Sequence, residues 1–247
     1  MLKSRIAAGD RLVGTVLKTP HYGLIEVLGG TDLDFVMIDT EHSPFSTAEL
    51  DRCILASRAV DLPVLVRLVE GTPAAILQVL DMGAAGIVVP QVDTAAEAKA
   101  IVQATRYGPG GRGFAGTTRA GGFGTIPASD LIERANDVVV VVQIESAEGV
   151  ANASAIAQTS GVDACFVGRA DLAVSQGLPL NAPVIESATE ETFQACMRNN
   201  VAPMMFVSDI SECAGWFGRG ARIIAVGSEH KAMQSYFSAG TIGSAKG

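Results

Sequence analysis

Glu145 and Asp171 stand where two apolar runs give way to polar groups, Val141-Val142-Gln143-Ile144-Glu145 and Phe166-Val167-Gly168-Arg169-Ala170-Asp171. In a barrel of parallel strands, such strand ends face the one mouth where chemistry takes place. The two carboxylates are too far apart along the chain for a local calcium-loop motif, but adjacent strands would converge them. An oxygen-rich site with only two protein ligands leaves positions for water and a substrate. That is the habit of Mg²⁺ or Mn²⁺ rather than of structural zinc. A metal held this way polarises a carbonyl and stabilises an enolate.

More polar groups fall at the same level of the chain's strand signals. Phe35 to Ile38 finishes at Asp39, followed by Thr40-Glu41-His42-Ser43-Pro44, and Pro63 to Leu68 carries Arg67 near its end. Arg67 suits bidentate pairing with a substrate carboxylate. His42 sits on a rim loop amid acidic neighbours, placed to act as general base or to orient a metal-bound water that does. Singly, each of these groups would serve as an ion pair or a helix cap. Together they exceed what capping requires, because the strands leading to them are otherwise apolar.

The elements that must position these groups repeat in a regular cycle. Strand signals run over 12–17, 35–38, 63–68, 86–89, 138–144, 164–167, 204–207 and 223–226, each followed by a helical or irregular stretch. Ser46-Thr47-Ala48-Glu49 and Thr94-Ala95-Ala96-Glu97 are capping-box signatures that open helices. Helical spacing also marks 22–28, 73–82, 150–158, 183–198, 210–217 and 229–238. Wholly apolar strands alternating with helices require a parallel sheet covered by helices. Eight repeats in 247 residues predict a single (β/α)8 TIM barrel over residues 1–247, with a doubly wound open sheet as the alternative.

Composition narrows the function. A net charge of −8 argues against non-specific nucleic-acid binding. No apolar run approaches the ~20 residues needed to span a bilayer, and the N-terminal stretch has no secretory h-region. The four cysteines are scattered without a C-x-x-C pair, as in a reduced, cytoplasmic protein. Among the lysines only Lys18 lies near a strand end, which disfavours Schiff-base chemistry. Gly111, Gly113 and Gly116 form a literal G-x-G-x-x-G, but it follows a helix rather than a strand, so the dinucleotide reading fails its context. Arg106 to Ile126 reads as a long loop, a lid or subunit contact.

Ile38-Asp39-Thr40-Glu41-His42-Ser43-Pro44, the Arg106 to Arg112 region, Val142-Gln143-Ile144-Glu145 and Val167-Gly168-x-Ala170-Asp171-Leu172 together resemble the metal-dependent class II pyruvate aldolases of the HpcH/HpaI family, typified by 4-hydroxy-2-oxoheptanedioate aldolase. The resemblance covers nearly the whole chain, in order and with similar spacing. It implies an aldehyde-lyase that reversibly cleaves a 4-hydroxy-2-oxoacid to pyruvate and an aldehyde. The divalent metal, Mg²⁺ or Mn²⁺ with Co²⁺ as a further choice, would sit on Glu145 and Asp171. Gln143 and Arg67 would contact the pyruvate unit, and the backbone from Gly168 through Arg169 to Ala170 would surround its carboxylate.

His42 matches the family's catalytic histidine, and Asp81 matches the aspartate usually paired with it. Asp81 falls near a helix C-terminus, at the far end of the barrel from the metal. A neighbouring subunit must therefore supply it, or its role is structural. The resemblance also implies a homohexamer, a trimer of dimers with exchanged C-terminal helices, which Met233, Tyr236 and Phe237 would suit. Arg169 departs from the family's usual proline, placing a cation beside the pyruvate pocket or turning it away into an ion pair. Met204-Met205-Phe206 replaces smaller aliphatics, which makes Phe206 a candidate substrate contact in a reshaped aldehyde pocket. The remaining alternatives are a CoA-thioester lyase, another enolate chemistry on the same barrel, and a non-catalytic barrel that binds a 2-oxoacid.

Overall fold

The structure is a computed structural model that describes residues 1–238, 240 and 241. Its strands are β1 (Leu12–Leu17), β2 (Phe35–Asp39), β3 (Val64–Arg67), β4 (Gly86–Val89), β5 (Val139–Ile144), β6 (Ala164–Val167), β7 (Ala202–Val207) and β8 (Ile223–Ser228). All neighbours pair in parallel, and β8 returns to β1 to close the barrel in sequence order. Closure excludes the open-sheet alternative. The covering helices through the middle of the chain are α1 (Leu2–Ala7), α2 (Tyr22–Gly29), α3 (Thr47–Ala59), α4 (Pro73–Asp81), α5 (Ala95–Thr105) and α6 (Ala128–Arg134). Beyond β5 come α7 (Ala147–Ala151), α8 (Ala153–Ala157), α9 (Arg169–Ser175), α10 (Pro183–Arg198), α11 (Cys213–Gly218) and α12 (Glu229–Tyr236).

Side chains alternate between the two faces of a strand, and in this barrel the alternation sorts the chemistry. Inside the barrel, Leu12, Val16, Phe35, Met37, Leu65, Val88, Val139, Val141, Ala164, Phe166, Met204 and Ala225 pack into one apolar cluster. Space there is tight. A Cβ on Gly14 would lie 2.6 Å from the Phe35 ring, so glycine at this point is what lets Phe35 fill the barrel. Truncating Phe35 to Ala would cost about 3–5 kcal/mol. The outward residues of the same strands, such as Ile38, Val66, Val140 and Val142, pack beneath the helices.

Both capping boxes form, Ser46 with Glu49 at α3 and Thr94 with Glu97 at α5. Three local features differ from the sequence expectation. Leu2–Ala7 is helical, anchored by buried Leu2 and Ile6, ahead of the first strand where no helical spacing is read. A helix, Ala128–Arg134, opens just before β5. The helix after β5 begins early, at Ala147, and breaks at Asn152, whose amide donates to the Asp93 carbonyl at 2.8 Å.

Candidate active site

One step further along the same inward alternation, the apolar filling stops. The next inward positions are Lys18, Asp39, Arg67, Gln143, Gly168 and Phe206, with Glu145 one step beyond Gln143. Lys18, Arg67, Gln143, Gly168 and Phe206 of this ring line a cavity of about 450 Å³ whose wall also includes His42 and the 169–171 segment, while Asp39 and Glu145 are buried behind it.

Asp39 is the hub of the cationic side. Register pairs it directly with Arg67 across β2 and β3. The fully buried carboxylate accepts from Arg67 Nε at 3.0 Å, and its second oxygen lies 2.8 Å from Arg67 Nη2 and 3.3 Å from Lys18 Nζ. The His42 backbone N–H donates to it at 3.2 Å. Burial is the largest influence on Asp39 and acts upward. The hydrogen bond and charge of Arg67, with the His42 N–H and Lys18, outweigh it and hold the carboxyl below the ordinary aspartate value. Arg67 Nη1 also reaches Glu41 Oε2 at 3.4 Å, and that oxygen lies 3.7 Å from His42 Nε2. Glu41 titrates above its ordinary value, chiefly because it is buried, with Asp39 and Asp171 adding to the rise.

The opposite side is anionic. Glu145 is buried, takes the backbone N–H of Gln91 at 2.9 Å, and receives a very short hydrogen bond from the Gln143 amide. Gln143 and Glu145 lie two residues apart and so share a face. Burial raises the Glu145 carboxyl above its ordinary value, the two hydrogen bonds oppose it, and the charges of Asp171 and Glu41 push it further up. Asp171 belongs to the first turn of α9 rather than to a strand end, which corrects the sequence reading. The helix still delivers it to the same cavity. Gly168, the residue before α9, is required by close approach. A Cβ there would fall 2.6 Å from Glu145 Oε2 and 3.1 Å from Gln143 Nε2.

Arg169 takes the ion-pair alternative. Its guanidinium donates to Glu186 at 2.9 Å and lies 5.0 Å from the Trp216 ring centre, although the residue still borders the cavity. Ala170 is exposed in the cavity wall, as is the ring of Phe206. Asp81 is not brought to His42 within one chain. It ends α4, faces Arg112 at 3.5 Å, and lines a separate hollow with Asp51, Arg119 and Phe123. Burial raises its carboxyl above the ordinary value and Arg112 opposes the rise.

Two contributors escape a reading of residue types alone. Gln91 adopts a left-handed φ of 55°, a conformation uncommon outside glycine, and thereby aims its N–H at Glu145. Glu229 is buried beneath the end of β1 and accepts from the backbone N–H groups of Lys18 and Thr19, which fixes where Lys18 starts. The strand-ending Val89-Pro90 offers a weak signal for the first, and Ser228-Glu229, at the N-terminus of α12, for the second.

A parallel barrel whose acids, amide and arginine gather at the C-terminal mouth is the layout of a TIM-barrel enzyme. Residues 17–235 match the model of the HpcH/HpaI aldolase/citrate lyase family, and the chain belongs to that family. It is 36% identical over 234 residues to a 4-hydroxy-2-oxovalerate aldolase from Rhodococcus jostii, covering 91% of this chain and 88% of that protein. A 2-keto-3-deoxy-L-rhamnonate aldolase from Salmonella gallinarum is 34% identical, covering 91% and 85%. Among solved structures, an HpcH/HpaI aldolase/citrate lyase family protein from Burkholderia cenocepacia superposes with a TM-score of 0.94 at 31% identity, covering 100% of this chain and 99% of that one. The chain is therefore an enzyme, a carbon–carbon lyase of the aldolase type. Among the described residues no helix is long and apolar enough to cross a membrane.

Proposed function

We propose that this aldolase cleaves a 4-hydroxy-2-oxoacid reversibly to pyruvate and an aldehyde, with a divalent cation held by Glu145 and Asp171. The observation that carries this reading is a buried carboxylate, Glu145, set at the mouth that Asp171 also lines. Burial disfavours its ionisation most, the charges of Asp171 and Glu41 add to that against the hydrogen bonds of Gln143 and Gln91, and the buried Gln143 Oε1 has no hydrogen-bond partner among the described residues. A dication would relieve the repulsion, and Gly168 leaves open the space beside Glu145 Oε2. The donors are oxygens, which favours Mg²⁺ or Mn²⁺, with Co²⁺ as a further choice. Two protein carboxylates would leave coordination positions for water and substrate oxygens.

When bound, such a cation polarises the 2-oxo group and stabilises an enolate. The protein's own groups supply the rest. Arg67, pinned by Asp39, meets the pyruvate unit, with Gln143 beside it and the Gly168 to Ala170 backbone around the carboxylate. His42 accepts the 4-hydroxyl proton, and the resulting imidazolium is stabilised by Glu41, 3.7 Å away. The C3–C4 bonding pair moves into the enolate while C4 becomes the aldehyde carbon. Arg67 opposes the developing charge, and return of the proton from the His42 imidazolium to C3, directly or through water, releases pyruvate and restores the base. The cavity, about 450 Å³, suits a small ketoacid with an aldehyde far better than a CoA thioester.

We further propose assembly as a homohexamer in the cytoplasm, in which an adjacent subunit brings Asp81 to His42. The exposed Met233, Tyr236 and Phe237 at the end of the chain's last described helix support a subunit contact there. Glu145→Ala and Asp171→Ala are each expected to abolish metal-dependent cleavage. Cleavage that survives dialysis against EDTA would contradict the metal assignment.

A further inference from the structure

The cavity has two halves, and the half not used by pyruvate has a definite chemistry. Alternation along β7 sends Ala202 and Met204 into the barrel, so Phe206 is the inward residue at the mouth. Its ring is nonetheless 43% exposed, and Leu180, 51% exposed, borders the same cavity. An aromatic face left bare on a cavity wall is a surface for an apolar group.

The charges of the cavity are already matched. Lys18 lies 3.3 Å from Asp39, and Arg67 is divided between Asp39 and Glu41. The guanidinium of Arg169 is held by Glu186. Glu145 and Asp171 balance a divalent cation, so the carboxylate of pyruvate is the one anion that Arg67 must still meet. On the Phe206 side the remaining charged residue of the wall is Glu212, itself an anion. A second carboxylate on the substrate would lose its water there beside Glu212, while Lys18, Arg67 and Arg169, the lysine and arginines of the cavity wall, each already face a carboxylate of the protein, which makes its burial costly.

We infer that the aldehyde half of the substrate is uncharged and carries an apolar substituent that packs on Phe206, so that the enzyme discriminates against aldehydes ending in a carboxylate. This rests on the retro-aldol reading above.

The test uses the metal-loaded full chain in the condensation direction. Deuterium exchange at C3 of pyruvate is measured first, without aldehyde. Then kcat/KM is compared for butanal and for succinic semialdehyde, which have the same four-carbon chain with and without a carboxylate. Butanal is expected to be favoured at least ~10-fold, the ratio that a single poorly paired polar group produces. Phe206→Arg, which places a cation on the aldehyde side, is expected to shift the ratio toward succinic semialdehyde at least ~10-fold. Normal exchange with succinic semialdehyde used as well as butanal would overturn the inference and leave the retro-aldol reading intact. Absence of exchange would overturn that reading, and this inference with it. Should Phe206→Arg fail to fold, the wild-type ratio alone decides.

Discussion

Replacing Asp39 with Asn keeps the side chain's shape and removes the charge on which the cationic half of the site depends. The carboxylate is fully buried, contacts Arg67 at 3.0 and 2.8 Å, and lies 3.3 Å from Lys18. Hydrogen bonds to charged groups contribute about 1.5–3 kcal/mol each, and removing one partner of a buried pair costs about 3–5 kcal/mol. At about 2–4 °C per kcal/mol for a chain of this size, Tm should fall by about 6–20 °C. Arg67 would lose its fixed direction, and a misplaced binding group costs about 100-fold in kcat/KM. The pH dependence supplies a second readout. Arg67 and the other partners hold Asp39 below its ordinary value, so its contribution is complete above that value, near ~4. It disappears as pH falls through the lower folded value, because the unfolded chain takes up the proton first. The stability gap between wild type and variant should therefore be widest at neutral pH and close in acid. Urea unfolding across pH 3–7, paired with pyruvate condensation kinetics, checks both. A variant with wild-type kcat/KM and an unchanged gap at every pH would refute the claim that Asp39 holds Arg67.

Other outcomes follow from the anionic half. Gly168→Ala should reduce metal-dependent activity by ~100-fold or more, since its Cβ would press on Glu145 Oε2 at 2.6 Å; Mn²⁺ affinity by calorimetry should weaken in parallel. Glu145→Gln should destroy activity yet stabilise the metal-free protein at pH 7, read as a higher Tm in thermal unfolding. Glutamine can still accept from Gln91, and Gln143 can turn its unpartnered oxygen toward the new amide. Because the folded Glu145 carboxyl titrates above its ordinary value, ionisation penalises the fold as pH rises. That gain over wild type should therefore shrink as pH falls through the folded value.

The barrel was legible because its signals are local. Unbroken apolar runs such as residues 139–142 and the capping boxes at Ser46 and Thr94 need no knowledge of distant neighbours. The position of the barrel mouth is legible for a related reason: an inward alternation that turns from Phe35 and Met37 to Asp39 marks the end of the filled barrel. What escaped depends on tertiary contact. Leu2–Ala7 is too short to hold a helix by propensity, and its two buried residues are what anchor it. The left-handed turn at Gln91 has no glycine to announce it, and its value lies in meeting Glu145 fifty-odd residues away. Arg169 could be read as pocket cation or ion pair until α10 and α11 placed Glu186 and Trp216 beside it.

The central claim is that Glu145 and Asp171 hold a dication on which the protein enolises pyruvate. Pyruvate in D₂O with Mg²⁺ or Mn²⁺, followed by proton NMR of the methyl group, tests it without any knowledge of the aldehyde. The expected result is rapid loss of the C3 proton signal that stops on adding EDTA and is absent in Glu145→Ala and Asp171→Ala. Exchange at the wild-type rate in those variants, or in the presence of EDTA, would contradict it.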